Sequence, residues 1–470
     1  MPEHLPLSPA MNAALERFRP LLSESDFSYL CTTLQQGLLP SIRINLLKHD
    51  ALPFTRQLHK NYGWELSPVP FCPSGYTAET SSENIAKSIE HALGDYYIQE
   101  SASMLPVELF DLSENSSSLI LDMAASPGGK TTHLIDRTGD CGLVIANDAS
   151  ASRLPALSVV LTKWGAINQA ITGLPGDYFG SQFPDTFDMV LLDAPCSMQN
   201  LFDTTSHPLR EISRGEQHSL SNRQFLLLRS ALQTAKSGGQ VVYATCTLSP
   251  EEDEEVIQRT LDEFGNSIHL DDVSAKLPKP APALAQFAER HFSSEMSRAL
   301  RLWPHLFGTS GFFSARFTKQ APLPTENRTK QVHAAKKPLH TDSLSVQEQH
   351  SICRWVKDVY GFDLEGVLQL QKVILCENEH EEIFLVPERL FTELSSLPLF
   401  HFGLKACKRI PHGFQISHEF AMRFGHLFQS GFITLNKDQA STYWRKQDLI
   451  GYTVHERMLG QTLVVKDDSG

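Results

Sequence analysis

Leu119-Ile120-Leu121-Asp122-Met123-Ala124-Ala125-Ser126-Pro127-Gly128-Gly129-Lys130-Thr131 reads as a buried apolar strand, a loop of small residues with two adjacent glycines, and the start of a helix. A turn of this kind lets backbone N–H groups approach a ligand closely and sets that ligand at a helix N-terminus. Around it, from Ser118 to about Lys319, short apolar strands alternate with helical stretches. The strands are Leu119 to Asp122, Leu143 to Asn147, Asn168 to Thr172, Met189 to Leu192 and Gln240 to Tyr243, with Phe312 to Phe317 late. This alternation predicts an α/β fold with a doubly wound, mostly parallel, Rossmann-like sheet, whose ligands bind beyond the carboxyl ends of the strands.

Two ligand classes suit the loop. A phosphate is one: the segment is one residue from a Walker A loop, and Asp193 after Met189-Val190-Leu191-Leu192 resembles a Walker B acid, which would make the protein an NTPase. Ala124, however, stands where that motif needs its first glycine. The other is S-adenosylmethionine, for which strand-end acids, Asp122 and then Asp148 after the next strand, would hold ribose hydroxyls. Asp148 lies twenty residues beyond Gly128, close to the offset of a ribose-binding carboxylate.

A second pattern sits at two other strand ends. Leu191-Leu192-Asp193-Ala194-Pro195-Cys196 and Val241-Val242-Tyr243-Ala244-Thr245-Cys246 each leave a cysteine where a buried strand runs out. A lone strand-end cysteine is usually a small hydrophobe. Two that flank a cofactor loop at neighbouring strands share one crevice with Asp193 and the Ser126 to Lys130 loop. Methylation at carbon 5 of a pyrimidine needs such a pair, because that atom is too weakly nucleophilic to attack a sulfonium unaided. A thiolate adds at carbon 6, the methyl group transfers to carbon 5, and a base removes the carbon 5 proton so that the thiol leaves. One thiol attacks and a second assists release, while Asp193 hydrogen-bonds the cytosine edge. Just after, Ser249-Pro250-Glu251-Glu252 reads as a helix start, with Ser249 as cap and Glu252 closing a capping box.

The remaining composition bounds the answer. A chain of 470 residues with 41% hydrophobic content points to three or four domains. Neither a membrane-length apolar run nor a leader is evident, so a soluble cytoplasmic protein without membrane contact is expected. Eight scattered cysteines make no disulfide framework, and 19 histidines include no HExxH or paired cluster, so reduced thiols and no metal are expected. A net charge of -13 argues against a chain coated for nucleic acid, although a local basic surface is compatible with it.

These motifs are specific when taken together. Asp122 to Thr131, Asp193-Ala194-Pro195-Cys196-Ser197 and Tyr243-Ala244-Thr245-Cys246-Thr247-Leu248 resemble the motifs of the RsmB/Nop family of RNA cytosine-5 methyltransferases. Ser41-Ile42-Arg43-Ile44-Asn45-Leu46-Leu47-Lys48, Tyr97 to Pro106 and Gly311-Phe312-Phe313-Ser314-Ala315 are similar to the bacterial RsmF branch, which modifies 16S rRNA. The tail from Phe402-Gly403-Leu404-Lys405 through Trp444-Arg445-Lys446-Gln447-Asp448 is similar to that branch's PUA-like domain. The resemblance implies that Cys246 is the nucleophile and Cys196 the release cysteine. It also implies that Ala124, Ala125, Ser126, Pro127, Gly128, Gly129, Lys130, Asp148 and Asp193 line the S-adenosylmethionine site. The partner implied is RNA, 16S rRNA or the small ribosomal subunit, met by a monomer. The expected domains are an N-terminal RNA-binding-type domain at 1–105, the methyltransferase domain at 106–319, a linker at 320–343, a small mixed α/β domain at 344–395 and a PUA-like domain at 396–470.

The chain departs from the family pattern at three places. After the Pro-Cys-Ser motif the family continues with glycines and an arginine, whereas this chain runs Met198-Gln199-Asn200-Leu201-Phe202-Asp203-Thr204-Thr205. Where the family carries an acid after the third strand, this chain has Pro175, with Asp177 two residues on. After Thr462-Leu463-Val464-Val465-Lys466 the family tail adds another strand, so an incomplete last domain is expected. The first two departures support a second reading, an RNA-binding relative with little catalysis. Arg43 with Asn45, and Lys319, Arg328, Lys330, Lys336 and Lys337 of the linker, are candidate phosphate contacts.

Overall fold

The computed structural model describes residues 9–202, 209–325, 341–445, 447 and 462–467. These residues form two compact units, one holding those up to Leu157 and from Thr172 to 325, the other holding Ser158–Ile171 and those from 341 onward.

The first unit begins with the helix Pro9–Phe18, where Pro20 ends the regular hydrogen bonding and a 3-10 turn follows at Arg19–Leu21. Ser23 caps the next helix, Glu24–Gln36, by accepting from the Asp26 N–H. A four-stranded antiparallel sheet follows in the order Leu66–Pro68, Gly75–Ala78, Ser41–Ile44, Tyr96–Ile98. Ile42, Ile44, Tyr76 and Tyr96 pack there with Phe54 and Leu58 of the helix Ala51–Tyr62.

The large sheet of this unit has Leu119–Asp122 between Leu143–Asn147 and Phe187–Asp193, all parallel. Ala235–Thr245 extends it in parallel beside Phe187–Asp193, and Phe312–Lys319 then pairs antiparallel to Ala235–Thr245. Ile268–Leu270 and Leu300–Leu302 both pair antiparallel with Phe312–Lys319. Every strand expected from the apolar runs is present, and the first, fourth and fifth lie side by side as the doubly wound reading requires.

In the second unit five antiparallel strands run in the order Thr341–Ser343, Val373–Asn378, Glu382–Pro387, Leu404–Ile410, Gly413–Ile416. The helix Val346–Tyr360, started by a Ser345–Glu348 capping box, covers it with Ile352, Val356 and Tyr360 in one core with Leu375, Leu385 and Phe420. Ala170 and Ile171 pair with Phe402 and His401. Two expectations are corrected here. Glu382–Pro387 pairs directly with Leu404–Ile410, so no packing boundary falls at 395/396. Thr341–Ser343 is an edge strand rather than linker, and residues 326–340, with Arg328, Lys330, Lys336 and Lys337, lie outside the described residues.

Three other proposed phosphate contacts prove to be buried staples. The Arg43 side chain is fully covered: it pairs with Asp136, donates to Gln99 Oε1 at 3.1 Å and donates to the Gly129 carbonyl at 3.1 Å. A guanidinium with five donors can serve three acceptors at once, and here it ties the Ser41–Ile44 strand to the helix Gly129–Arg137. Asn45 donates to the Gly94 carbonyl at 2.8 Å, and Lys319 donates to Asp185 and the Ala235 carbonyl, each at 2.7 Å. Arg43→Ala is therefore expected to lower unfolding stability by about 3–5 kcal/mol, because Asp136 is left buried and uncompensated. Denaturant unfolding checks this; unchanged stability together with weakened RNA binding would restore the phosphate role.

Candidate active site

The parallel strands end at Asp122, Asn147, Asp193 and Thr245 along one edge of the sheet. Asp122 is 0% exposed; its Oδ2 accepts from Thr131 Oγ1 at 2.7 Å, and its Oδ1 has no hydrogen-bond partner among the described residues. Its hydrogen bond from Thr131 ties the strand end to the first turn of the helix Gly129–Arg137. Burial pushes the Asp122 carboxyl up to about 7, helped by the charge of Asp193 and opposed by Thr131 and Lys130. Asp148 accepts from the Ser126 N–H at 3.2 Å and from the Ser150 N–H at 2.9 Å, and Arg153 lies 3.3 Å from it. Asn147, which reads in the sequence only as a strand end, donates to the Met123 and Leu174 carbonyls at 2.9 Å each and so joins two loops.

Within the glycine loop, Gly128 has φ 116°, a conformation that favours glycine. At Gly129 a Cβ would stand 2.8 Å from the Tyr97 ring, so only glycine lets the helix start this close to its neighbour. The Ser126 hydroxyl is buried without a hydrogen-bond partner among the described residues. An orphaned buried hydroxyl in a glycine turn at a helix N-terminus is what a polar ligand would complete.

Lys130 donates to Asp193 Oδ2 at 2.7 Å and lies 5.6 Å from the centre of the Phe312 ring. Burial works against its charge, but Asp193 with its hydrogen bond, then Cys246 and Asp122, outweigh it and hold the ammonium above its ordinary range. The Cys196 and Cys246 sulfurs are 3.0 Å apart, both half-buried and both free. The hydrogen bond to Cys246 raises Cys196 well above the usual thiol range, and burial, the Cys246 charge and Glu252 add to it. The two sulfurs are within hydrogen-bonding distance, and either can be the donor.

The expected capping box at Ser249 does not form. The helix starts only at Glu254, because the acids before it are used elsewhere. Glu252 accepts from the Ser197 N–H and from Gln224 Nε2, each at 2.9 Å, which fixes the turn that carries Cys196. Asp253 accepts from Thr245 Oγ1 at 2.6 Å beside Arg301, and Arg301 donates to Glu254 at 2.9 Å and to the Leu248 carbonyl at 2.8 Å. Two strand exits are thereby fastened by residues that the sequence offered only as helix-start chemistry.

The divergent loop is folded in its own way. Met198 and Leu201 take left-handed backbone conformations, with φ 59° and 71°. The Gln199 carbonyl accepts from the Leu248 N–H at 3.0 Å and the Asn200 carbonyl from the Gly311 N–H at 2.9 Å. Leu201 is buried in a cluster with Met11, Leu15, Phe18, Leu30 and Trp303. The N-terminal helices therefore supply the apolar surface that holds this loop in place of glycine flexibility; Asp203, Thr204 and Thr205 lie outside the described residues. Asp177 is exposed in the first turn of the short helix Asp177–Gln182, and Pro175 is exposed beside it.

Comparison with known proteins decides among the readings that fit this site. Residues 109–318 match the family model of the 16S rRNA methyltransferase RsmB/F, and residues 12–101 match the N-terminal domain of 16S rRNA methyltransferase RsmF. Ribosomal RNA small subunit methyltransferase F of Erwinia tasmaniensis is 31% identical over 93% of this chain and 88% of its own. The chain belongs to the RsmB/F family. The enzyme of the same name from Aeromonas hydrophila is 32% identical over 91% of this chain and 86% of its own. A methyltransferase homolog from Pyrococcus horikoshii, known from its crystal structure, is 30% identical with a TM-score of 0.55, covering 67% of this chain and all of that one. An RsmB/F protein is an S-adenosylmethionine-dependent methyltransferase, so the phosphate and NTPase reading of the loop is overturned. Among the described residues no helix is long and apolar enough to cross a membrane.

The raised carboxyl of Asp122 has a pH consequence. Its folded form holds the proton more tightly than the unfolded chain does, so its contribution is fully present at low pH and is lost as pH rises from about 4 to about 7. Asp122→Asn should flatten the decline of Tm across that window, and thermal melts that fall equally in both proteins would contradict the assignment.

Proposed function

We propose that the chain transfers a methyl group from S-adenosylmethionine to carbon 5 of a cytosine in 16S rRNA, through a covalent cysteine adduct at carbon 6. The observation that carries this reading is the pair of sulfurs 3.0 Å apart beside the Lys130–Asp193 ion pair. Ala124, Ala125, Ser126, Pro127, Gly128, Gly129, Lys130, Asp148 and Asp193 hold the cofactor, which supplies an electrophilic methyl group when bound. The buried, unpartnered Ser126 hydroxyl supports that assignment.

Cys246 attacks as the thiolate, favoured by the Lys130 ammonium and by the Cys196 S–H. Its electron pair forms the sulfur–carbon 6 bond while the ring double bond shifts density to carbon 5, which takes the methyl group; the methyl–sulfur bonding pair would stay with the cofactor, which would leave as S-adenosylhomocysteine. Asp193, oriented by Lys130, hydrogen-bonds the cytosine edge and steadies the charge that develops during addition. A base then removes the carbon 5 proton, the carbon 5–carbon 6 double bond re-forms, and the Cys246 thiolate leaves with its bonding pair. Cys196 assists that departure by hydrogen-bonding the sulfur it already faces. The cytosine must be flipped or unpaired to reach sulfurs set at strand ends. The partner is 16S rRNA or the small ribosomal subunit, the C-terminal unit acts as a PUA-like RNA-binding module, and the enzyme works as a cytoplasmic monomer.

Methyl transfer from labelled cofactor into ribosomal RNA tests the assignment. Cys246→Ala should bind RNA without forming an adduct or transferring methyl. Cys196→Ala should accumulate a covalent protein–RNA species visible on denaturing gels. Lys130→Met should lose about 10²–10³ in rate, the usual loss when a positioned charge is removed. Unchanged methyl transfer in both cysteine variants would sink the mechanism. A wild-type chain that binds RNA but transfers no methyl would favour the weakly catalytic, RNA-binding reading motivated by the loop after Ser197.

A further inference from the structure

Cys72, Glu108 and His133 come from three separate segments. Cys72 lies in the turn between the strands Leu66–Pro68 and Gly75–Ala78, Glu108 ends the short helix Leu105–Glu108, and His133 projects from the helix Gly129–Arg137. All three are buried, at 1%, 8% and 0% exposure. His133 Nε2 is 2.9 Å from Glu108 Oε1 and 3.8 Å from Cys72 Sγ, and one ligating atom from each residue lies within 4.8 Å of the others. Nothing in the proposed methyl transfer uses them.

We propose that Cys72, Glu108 and His133 form a zinc site joining the N-terminal sheet to the helix that begins at the cofactor loop. Zinc takes sulfur, imidazole nitrogen and carboxylate oxygen at about 2.0–2.3 Å, so donors around a tetrahedral ion stand roughly 3–4 Å apart. The separations present, 2.9 and 3.8 Å with the third within 4.8 Å, are close to that spacing. The thiolate and the carboxylate would present two negative charges to a divalent cation, with the Arg137 guanidinium 3.6 Å from Glu108 as a further positive charge beside the site. Binding releases the Cys72 thiol proton to solvent as the sulfur–zinc bond forms. The imidazole proton moves to Nδ1, leaving the Nε2 lone pair for the metal. Metal-free, His133 Nε2 lies in hydrogen-bonding distance of Glu108, which Arg137 approaches at 3.6 Å. The donor set of one sulfur, one nitrogen and one oxygen suits zinc and excludes magnesium or calcium, which take oxygen ligands. Ser74 Oγ, 3.7 Å from the sulfur, is the adjacent hydroxyl.

Cobalt substitution tests the site directly, because a cobalt–thiolate bond absorbs in the near ultraviolet and a tetrahedral cobalt ion in the red. The full-length protein, stripped with a chelator and titrated with Co2+, should bind one ion per chain with both absorptions, and Zn2+ should abolish them. Zn2+ should also raise Tm by about 5 °C at saturation. Cys72→Ser and His133→Gln should each lose the thiolate band, while the double variant Cys196→Ser with Cys246→Ser should keep it. The proposal is overturned if the wild type gives neither band nor a zinc-dependent Tm shift. It is equally overturned if the band disappears in the double variant, which would place the ion on the strand-end thiols. Those last two readouts stand even if Cys72→Ser fails to fold.

Discussion

Parallel pairing of Leu119–Asp122, Phe187–Asp193 and Ala235–Thr245 in fixed register is the constraint on which the site depends. Asp193 lies opposite Ala244, and Asp122 opposite Leu191, two residues before Asp193, so the three strands run out along the same edge of the sheet. A side chain at each exit then meets the others: Lys130 reaches Asp193 at 2.7 Å, and Cys196 reaches Cys246 at 3.0 Å. A slip of one residue in either pairing would turn one member of each contact to the opposite face. The three buried acids and one arginine around these exits, Glu252, Asp253, Glu254 and Arg301, keep the two loops in place.

The strands and the paired cysteines were legible in the sequence because both are local patterns: an apolar run ending in a loop, repeated at matched positions. What stayed hidden was who pairs with whom across the fold. Arg43 looks like a surface cation beside Asn45, yet its partner Asp136 is 93 residues away. Ser249 to Glu252 carries the local signature of a capped helix, and long-range demand from Ser197 and Gln224 overrode it. The trio of Cys72, Glu108 and His133 has no spacing signature at all, since each residue arrives from a different element.

The loop after Ser197 shows how a departure in sequence is absorbed. Glycines let a backbone bend freely; here Met198 and Leu201 hold left-handed conformations that nonglycine residues adopt only at a cost. Burial of Leu201 against the first two helices offsets that cost, and backbone bonds from Leu248 and Gly311 fix the path. The path of the loop that follows Cys196 is therefore set by the N-terminal helices. This couples the segment most unlike the family to the part of the chain that the family's own N-terminal model covers, residues 12–101.

Unequal roles for the two thiols are the central claim, and trapping the adduct tests it most directly. Fluorine at carbon 5 of cytosine cannot be removed as the proton is, so the enzyme should stay bound to 16S rRNA carrying 5-fluorocytidine. Protease digestion and mass spectrometry of that complex should place the nucleotide on the peptide containing Cys246. A nucleotide found on Cys196, or no covalent complex in the presence of S-adenosylmethionine, would contradict the account.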